Sequence, residues 1–202
     1  MFWKQYMRLS RGLDDVLASK AKLRLLRELS RDPPRDLTGR ELARAADLSA
    51  SRASIALEEM RRTGIVDRRL AGRAMLWYLC EEHVLHPELV RLFGTERSLI
   101  QRLVEDLRQR LRGLPVRSVR LFGSVARGTE RPDSDIDLFV EVGSDRDRSM
   151  IREKVADLWL HGARVYGNPI SAIVLTTAER KKPSNPKLIA DIIREGIPVI
   201  GG

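Results

Sequence analysis

A single cysteine, Cys80, stands among 202 residues, which rules out an internal disulfide. It closes an apolar stretch and reads as a small buried hydrophobe. No apolar run reaches the ~18 residues of a membrane-crossing helix. The first residues, Met1-Phe2-Trp3-Lys4-Gln5-Tyr6-Met7, lack the long apolar core of a secretory signal, so a cytoplasmic location and no membrane partner are expected. The three histidines, His83, His86 and His161, have no metal-ligand spacing and read as ordinary residues. Acidic residues are in deficit: 28 Asp/Glu against 37 Lys/Arg leave a formal charge of +9.

That charge is unevenly placed. Residues 1–80 carry 17 Lys/Arg and 10 Asp/Glu, residues 81–113 carry 6 and 6, and residues 114–202 carry 14 and 12. The net values are +7, 0 and +2, so the excess sits almost wholly in the first 80 residues. A generally Arg-rich chain would not show this asymmetry; a nucleic-acid-binding module would.

Within that basic segment, Ser19 is a candidate N-cap for a helix over 20–30 with Leu23, Leu26 and Leu29 as its apolar stripe. Asp32-Pro33-Pro34 ends it. Thr38 and Glu41 spell a capping box for a short second helix, with Leu42, Ala43, Ala45 and Ala46 suited to close packing. After the turn Asp47-Leu48-Ser49, a third helix is expected over 50–63, with Ile55, Leu57 and Met60 inward and Gly64 as its stop. Two strands, 65–70 and 75–79, then flank Ala71-Gly72-Arg73 as a hairpin. Three helices and a hairpin in this order resemble the winged helix-turn-helix domains of bacterial and archaeal regulators. The resemblance implies that the third helix enters the major groove of double-stranded DNA and the wing meets the backbone or minor groove. On it, Ser49, Ser51, Arg52 and Ser54 face DNA, and Arg61, Arg62, Arg68, Arg69 and Arg73 meet phosphates.

Residues 81–113 read as a helical connector. His86-Pro87 opens a helix, Gly94 interrupts it and Thr95 caps another, in which Leu99, Leu103, Leu107 and Leu111 recur every four residues as a stripe for the C-terminal sheet. Part of this stripe, with Phe2, Trp3, Tyr6, Leu13 and Val16, is a candidate homodimer surface. Two-fold protein symmetry would match paired DNA half-sites.

The C-terminal part is organised around one stretch. An apolar run, 119–122, leads into Gly123-Ser124, where a residue without Cβ lets the backbone approach a ligand. A helix starting at Val125 would turn its free N–H groups toward an anion such as phosphate. A loop with Gly128, Pro132 and Asp133 follows; then Asp135 and Asp137 open a second apolar strand, 136–142. Residues two apart on a strand share a face, so the carboxylates repel unless a cation lies between them. Hard oxygen donors of this kind suit Mg²⁺, with Mn²⁺ the alternative, completed by substrate phosphates. The residue types spell phosphoryl transfer, in which positioning and charge neutralisation do most of the work.

Gly123-Ser124, Arg127-Gly128, Ser134, Asp135 and Asp137 together resemble the small nucleotidyltransferases of the DNA polymerase β superfamily. The resemblance implies that Gly123, Ser124 and Arg127 bind an NTP, and that Asp135 and Asp137 hold the metal and carry catalysis. It also implies a third carboxylate on the strand after the long helix. Here that stretch reads Asn168-Pro169-Ile170-Ser171-Ala172-Ile173, with Ser171 at the acidic position. A serine hydroxyl is a weak metal ligand and no general base near neutral pH, so catalysis is expected to be impaired or absent. Glu141 shares the strand face of Asp137 but lies about 13 Å further along, too far to substitute.

The remaining elements read as a polar loop over 144–147, a helix over 150–160, a strand over 170–175, a loop over 176–186, a helix over 187–195 stopped by Gly196, and a short strand over 197–200. The loop carries Arg180-Lys181-Lys182, read as a solvated patch. The expected fold class is α+β, with a winged helix-turn-helix domain (1–80), a helical connector (81–113) and a nucleotidyltransferase-like mixed sheet domain (114–202). Two functions follow. One is a DNA-binding transcriptional regulator whose nucleotide- and Mg²⁺-binding domain is catalytically weak or inactive. The other is an active enzyme transferring NMP from NTP to a protein, RNA or small-molecule hydroxyl, antitoxin-type activity included. The charge asymmetry and Ser171 favour the regulator; the intact Gly-Ser and Asp-x-Asp favour the enzyme.

Overall fold

The computed structural model describes residues 12–31 and 33–201. Phe2, Trp3 and Tyr6, read as part of a dimer surface, and Asp32, read as part of a helix stop, lie outside the described residues. The chain divides into two compact units at Ser98/Leu99, so the segment 81–113 is split between them.

The first unit runs α1 (Gly12–Leu17), α2 (Lys20–Leu29), β1 (Leu37–Thr38), α3 (Gly39–Ala45), α4 (Ala50–Arg62), β2 (Val66–Ala71), β3 (Ala74–Leu79) and α5 (His86–Arg97). Ser19 caps α2 by accepting from Lys22 N, and Thr38 and Glu41 form the reciprocal capping box of α3. The sheet order is β1-β3-β2, antiparallel throughout, with β2 and β3 closing as the wing hairpin around Gly72-Arg73. Its core gathers Val16, Leu25, Leu26, Leu42, Ala53, Leu57, Met60, Ile65 and Trp77.

Several expectations for this unit fail for geometric reasons. Ile55 is 59% exposed, not inward. A two-residue step on a helix turns the side chain through about 200°, so Ile55 and Leu57 cannot share a face. Ala53 and Ala56 take the inward places beside Leu57 and Met60. Ala45 is exposed at the end of α3 for the same reason. Gly94 does not interrupt α5, and Thr95 caps nothing. Glycine costs a helix interior about 1 kcal/mol, and tertiary contacts outweigh that here. Leu89 and Phe93 are buried, Arg27 grips Glu96 with two bonds of 2.6 and 2.8 Å, and Arg97 donates to Ser30 O at 2.9 Å. Cys80 is only half-buried; desolvation, then the charges of Asp67 and Glu82, push its thiol up to about 11. Val16 lies in its own unit's core and so is not free for a dimer surface.

The second unit runs α6 (Leu99–Arg110), β4 (Val116–Phe122), α7 (Gly123–Arg127), β5 (Ile136–Val142), α8 (Asp145–Val165), β6 (Ile170–Thr176), α9 (Thr177–Lys181), α10 (Pro186–Glu195) and β7 (Ile197–Ile200). Its four-stranded sheet has the order β6-β5-β4-β7. β5 and β6 are parallel, joined by α8; the pairs β4/β5 and β4/β7 are antiparallel. Leu103, Leu107 and Leu111 of the connector stripe pack with Val119, Leu121, Leu138 and Ile151, but Leu99 is exposed. Steps of four residues turn 40° past a full circle each, so a four-member stripe drifts off its face. The three buried leucines are covered within their own unit.

The expected polar loop at 144–147 is the first turn of α8. Ser144 is its N-cap, accepting from Asp147 N at 3.3 Å, and Asp145 and Asp147 suit the positive end of the helix dipole. α8 also runs past 160 to Val165, because Gly162 lets it touch the next strand: a Cβ there would meet Ile170 and Asn168 O at 2.6–2.7 Å. The expected loop at 176–186 contains α9, begun by a second capping box, Thr176 with Glu179. Of the expected solvated patch, Lys181 and Lys182 are exposed, but Arg180 is half-buried and pairs with buried Glu141 at 2.9 Å, and Ser118 Oγ donates to the same carboxylate. Glu141 therefore faces a partner of its own.

His161, on α8, meets Asp106, on α6, at 2.5 Å; Tyr166 OH and Arg110 Nε donate to the same carboxylate at 3.1 and 2.9 Å. Burial alone would raise the Asp106 carboxyl, but the bonds from His161, Arg110 and Tyr166 outweigh it and hold it below the ordinary range. A carboxyl depressed in the folded state contributes stability above its unfolded pKa, about 3.9, and loses it as pH falls through the folded value. Asp106→Asn should therefore cost about 1–2 kcal/mol near pH 7. It should also flatten the fall in stability below about pH 4. Urea unfolding of both proteins between pH 2 and pH 7 checks this; parallel curves would remove Asp106 from the acid response.

Candidate functional site

The site forms where β4 ends and β5 begins. In the antiparallel register Phe122 faces Asp137, and in the parallel register Asp137 faces Ser171. Gly123, with φ +77°, turns the chain directly over the Asp137 carboxylate: a Cβ built on it would stand 2.1 Å from Oδ2. Only glycine accepts both that backbone conformation and that approach. α7 starts at Gly123, two residues before the expected Val125, and is five residues long. Its first N–H groups lack intrahelical acceptors, but a single turn carries little dipole, so a phosphate cradle here depends on backbone approach more than on the helix field.

Gly128, also left-handed, ends α7, and Thr129 N donates to Ser124 O at 3.0 Å. The loop to β5 is held from outside. Asn168 Nδ2 donates to Ser134 O at 2.8 Å and to Pro132 O at 3.2 Å, Ser134 Oγ accepts from Arg131 N, and Ile136 N donates to Pro169 O. Asn168 thus positions the residues leading into Asp135. The sequence offered no signal for it beyond its place before the third strand, because the contact spans 34 positions.

Asp135 is exposed just ahead of β5; Asp137 is half-buried within it. Burial raises the Asp137 carboxyl and the Ser171 hydroxyl bond lowers it; Asp135 raises it again and the Arg127 guanidinium lowers it. The balance stands above the ordinary carboxylate range. Asp137 therefore senses both Asp135 and Arg127. A cation between the two carboxylates would relieve their repulsion, and nucleotide phosphates would supply the oxygens a pair of carboxylates lacks. No group of three or more His, Cys, Asp or Glu able to hold a metal occurs among the described residues. Ser171 is the reason at this position. Its Oγ donates to Asp137 Oδ1 at 3.2 Å, filling the place next to Asp137 with a neutral donor.

The residues assigned to DNA lie on α4 and the wing. Ser49 is the N-cap of α4, accepting from Arg52 N at 3.3 Å, which leaves its O–H free to donate. Ser51, Arg52, Ser54 and Arg62 are exposed on α4, and Arg73 is exposed at the hairpin turn. The other arginines are engaged: Arg61 and Arg68 share Glu58 at 2.8 and 2.7 Å, Arg68 also lies over the Trp77 ring at 5.4 Å, and Arg69 meets Asp36 at 2.6 Å. Among the described residues, Arg52, Arg62 and Arg73 have no ion pair in the structure.

Residues 100–197 match the family model for the nucleotidyltransferase domain, and residues 18–74 match that of the MarR family. The chain joins a MarR-family domain to a nucleotidyltransferase domain. It is also similar to a crystal structure of a transcriptional regulator of the MarR family from Silicibacter pomeroyi, 23% identical, with a TM-score of 0.34, covering 50% of this chain and 76% of that one. None of the curated proteins matches. The two matched segments fall on either side of the division at Ser98/Leu99. The MarR-family segment covers α2 through the wing turn, and the nucleotidyltransferase segment runs from α6 to the start of β7. No helix among the described residues is long and apolar enough to cross a membrane.

The nucleotidyltransferase domain's turn yields a paired expectation. Gly128→Ala places a Cβ in open space at φ +65° and should cost about 1–2 kcal/mol, the price of the left-handed conformation alone. Gly123→Ala should cost clearly more, because the Asp137 carboxylate must also move. Equal losses in chemical denaturation would show that the close approach does not constrain the site.

Proposed function

We propose that the chain is a DNA-binding transcriptional regulator whose nucleotidyltransferase domain binds an NTP with Mg²⁺ and turns it over slowly or not at all. The observation that carries this reading is the Ser171 hydroxyl donating to Asp137 at 3.2 Å, where a working site needs a third acidic group. In this reading Asp135 and Asp137 hold the cation, Gly123 and Ser124 cradle the phosphates, and Arg127 meets their charge. The cation supplies charge neutralisation between carboxylates and phosphates. Asp137 is already engaged by Ser171, Glu141 is held by Arg180, and Asp191 and Glu195, which line a cavity with Gly123 and Arg127, are both paired with Arg194.

Calorimetry with NTP should give binding that requires Mg²⁺ and is lost in Asp135→Asn/Asp137→Asn. Radiolabelled NTP should show turnover far below about 1 s⁻¹, and Ser171→Asp should raise it by restoring an acidic ligand. The alternative is an active enzyme transferring NMP to a protein, RNA or small-molecule hydroxyl, antitoxin-type action included. It is favoured by the close fit of Gly123 over Asp137, a constraint a purely structural turn would not need. Wild-type transfer at about 1 s⁻¹ or faster would establish it over the regulator.

DNA binding is assigned to α4 and the wing of the MarR-family domain, with Arg52 at base edges and Arg62 and Arg73 at phosphates. The ion-paired Arg61, Arg68 and Arg69 meet DNA only by exchanging Glu58 or Asp36 for phosphate, so each contributes less than an unpaired arginine. Affinity for duplex DNA should fall steeply with salt through counterion release, and Arg73→Ala should reduce the slope of log K against log salt by about 0.9. An unchanged slope removes Arg73 from the contact. A homodimer on paired half-sites completes the reading; of the apolar residues read for it, Leu13 is exposed in the first unit and Leu99 in the second. A monomeric mass by light scattering at micromolar protein would contradict it.

A further inference from the structure

On α4 one residue is explained neither by packing nor by helix preference. Ala53, Ala56, Leu57 and Met60 take the core face, each 5% exposed or less. The face opposite carries Ser51, Arg52, Ile55, Glu59 and Arg62. Glu59 turns to Lys22 at 2.9 Å. Ile55 has no such use, and it is 59% exposed. Its neighbours one turn away, Ser51, Arg52, Glu58 and Glu59, and Arg62 two turns away, are polar or charged, so on this helix Ile55 is not part of an apolar strip. A β-branched side chain is also a poor choice where only helix stability is at stake.

We infer that Ile55 reads the 5-methyl group of a thymine in the major groove. The inference rests on the DNA-binding reading above and names a base that the site selects. The floor of the major groove offers hydrogen-bonding atoms at every base pair but only one apolar group, the thymine methyl. An isoleucine at the centre of an otherwise polar recognition face has no hydrogen bond to give, and meets that methyl by excluding water from both. Arg52 sits three residues earlier, about 4.5 Å along the helix axis. That separation is close to one base-pair step of about 3.4 Å. The thymine therefore lies within one or two steps of the base edge that Arg52 reaches, and each half-site carries one such thymine.

The probe is a duplex taken from a random-sequence pool by repeated selection with the full-length protein. It is then resynthesised with deoxyuridine replacing one thymine at a time, which removes the methyl and leaves the Watson–Crick pairing. Wild type should lose about fourfold in affinity at one thymine per half-site, the ratio equivalent to ~0.8 kcal/mol for one buried methylene-sized group. Ile55→Ala should bind thymine and deoxyuridine duplexes equally, and Ile55→Val should keep part of the discrimination. Because Ile55 is exposed, neither variant should unfold before the wild type, whose transition is measured alongside. Uniform tolerance of deoxyuridine by wild type, or the same thymine preference in Ile55→Ala, overturns the inference while DNA binding stands. A protein that enriches no sequence overturns the DNA-binding reading and this inference with it.

Discussion

The second unit depends on the contact between the Gly123 backbone and the Asp137 carboxylate. A missing Cβ is what makes it possible: the nearest oxygen would lie 2.1 Å from any side chain placed there. The contact also needs a fixed register. Phe122 must face Asp137 across β4 and β5, and a one-residue slip would turn Asp137 into the core and bring Ile136 or Leu138 to the turn. Leu121 and Leu138, both fully buried and directly paired, make that slip costly. The apolar register of the sheet and the polar geometry of the site are therefore one constraint.

Against that frame of backbone, the identity of residue 171 decides the charge of the site. β6 lies parallel to β5 and delivers Ser171 beside Asp137 whatever its side chain is. A carboxylate there would bring three negative charges together, which requires a cation to be tolerable. A hydroxyl donating to Asp137 adds no charge and satisfies one carboxylate oxygen, leaving only the repulsion between Asp135 and Asp137. In the proposed reading, cation affinity would come largely from the phosphates that arrive with it, and metal and nucleotide would bind as one event.

Much of this architecture was legible in the sequence, because its signals are local. Ser19, Thr38-Glu41 and the Gly72-Arg73 turn act within four residues of themselves, and they mark the ends of elements the structure contains. The Gly-Ser turn and Asp-x-Asp were legible for the same reason: each needs a backbone conformation or a strand parity that short spacing encodes. What escaped was set by partners far along the chain. α5 passes through Gly94 because Arg27 and Ser30 hold its last turn, 69 and 67 positions away. Arg180 leaves the solvated patch read for it to meet Glu141 on β5. The early start of α8 is a local signal, since Ser144 caps the first turn through Asp147 N three residues on. Ile55 departs for a different reason: two positions from Leu57, it turns to the exposed face of α4.

The same long-range pairing reshapes the meaning of the positive charge. Counted along the sequence, the basic excess of residues 1–80 treats every arginine alike. In the folded unit Arg61 of α4 and Arg68 of the wing share Glu58, and Asp36 meets Arg69, so the Arg68 and Arg69 pairs also tie the wing to α4 and to the residue before β1. Such exposed pairs add little stability singly. They do hold long side chains that would otherwise sample several rotamers. A phosphate approaching Arg68 competes with a carboxylate already in place, whereas one approaching Arg52, Arg62 or Arg73 competes only with water. The unpaired charge is thus less than the charge count, and on α4 and the wing it lies at Arg52, at Arg62 and at Arg73, that is, at both ends of the helix and at the hairpin turn. Between Arg52 and Arg62 the polar face of the helix brackets one apolar side chain.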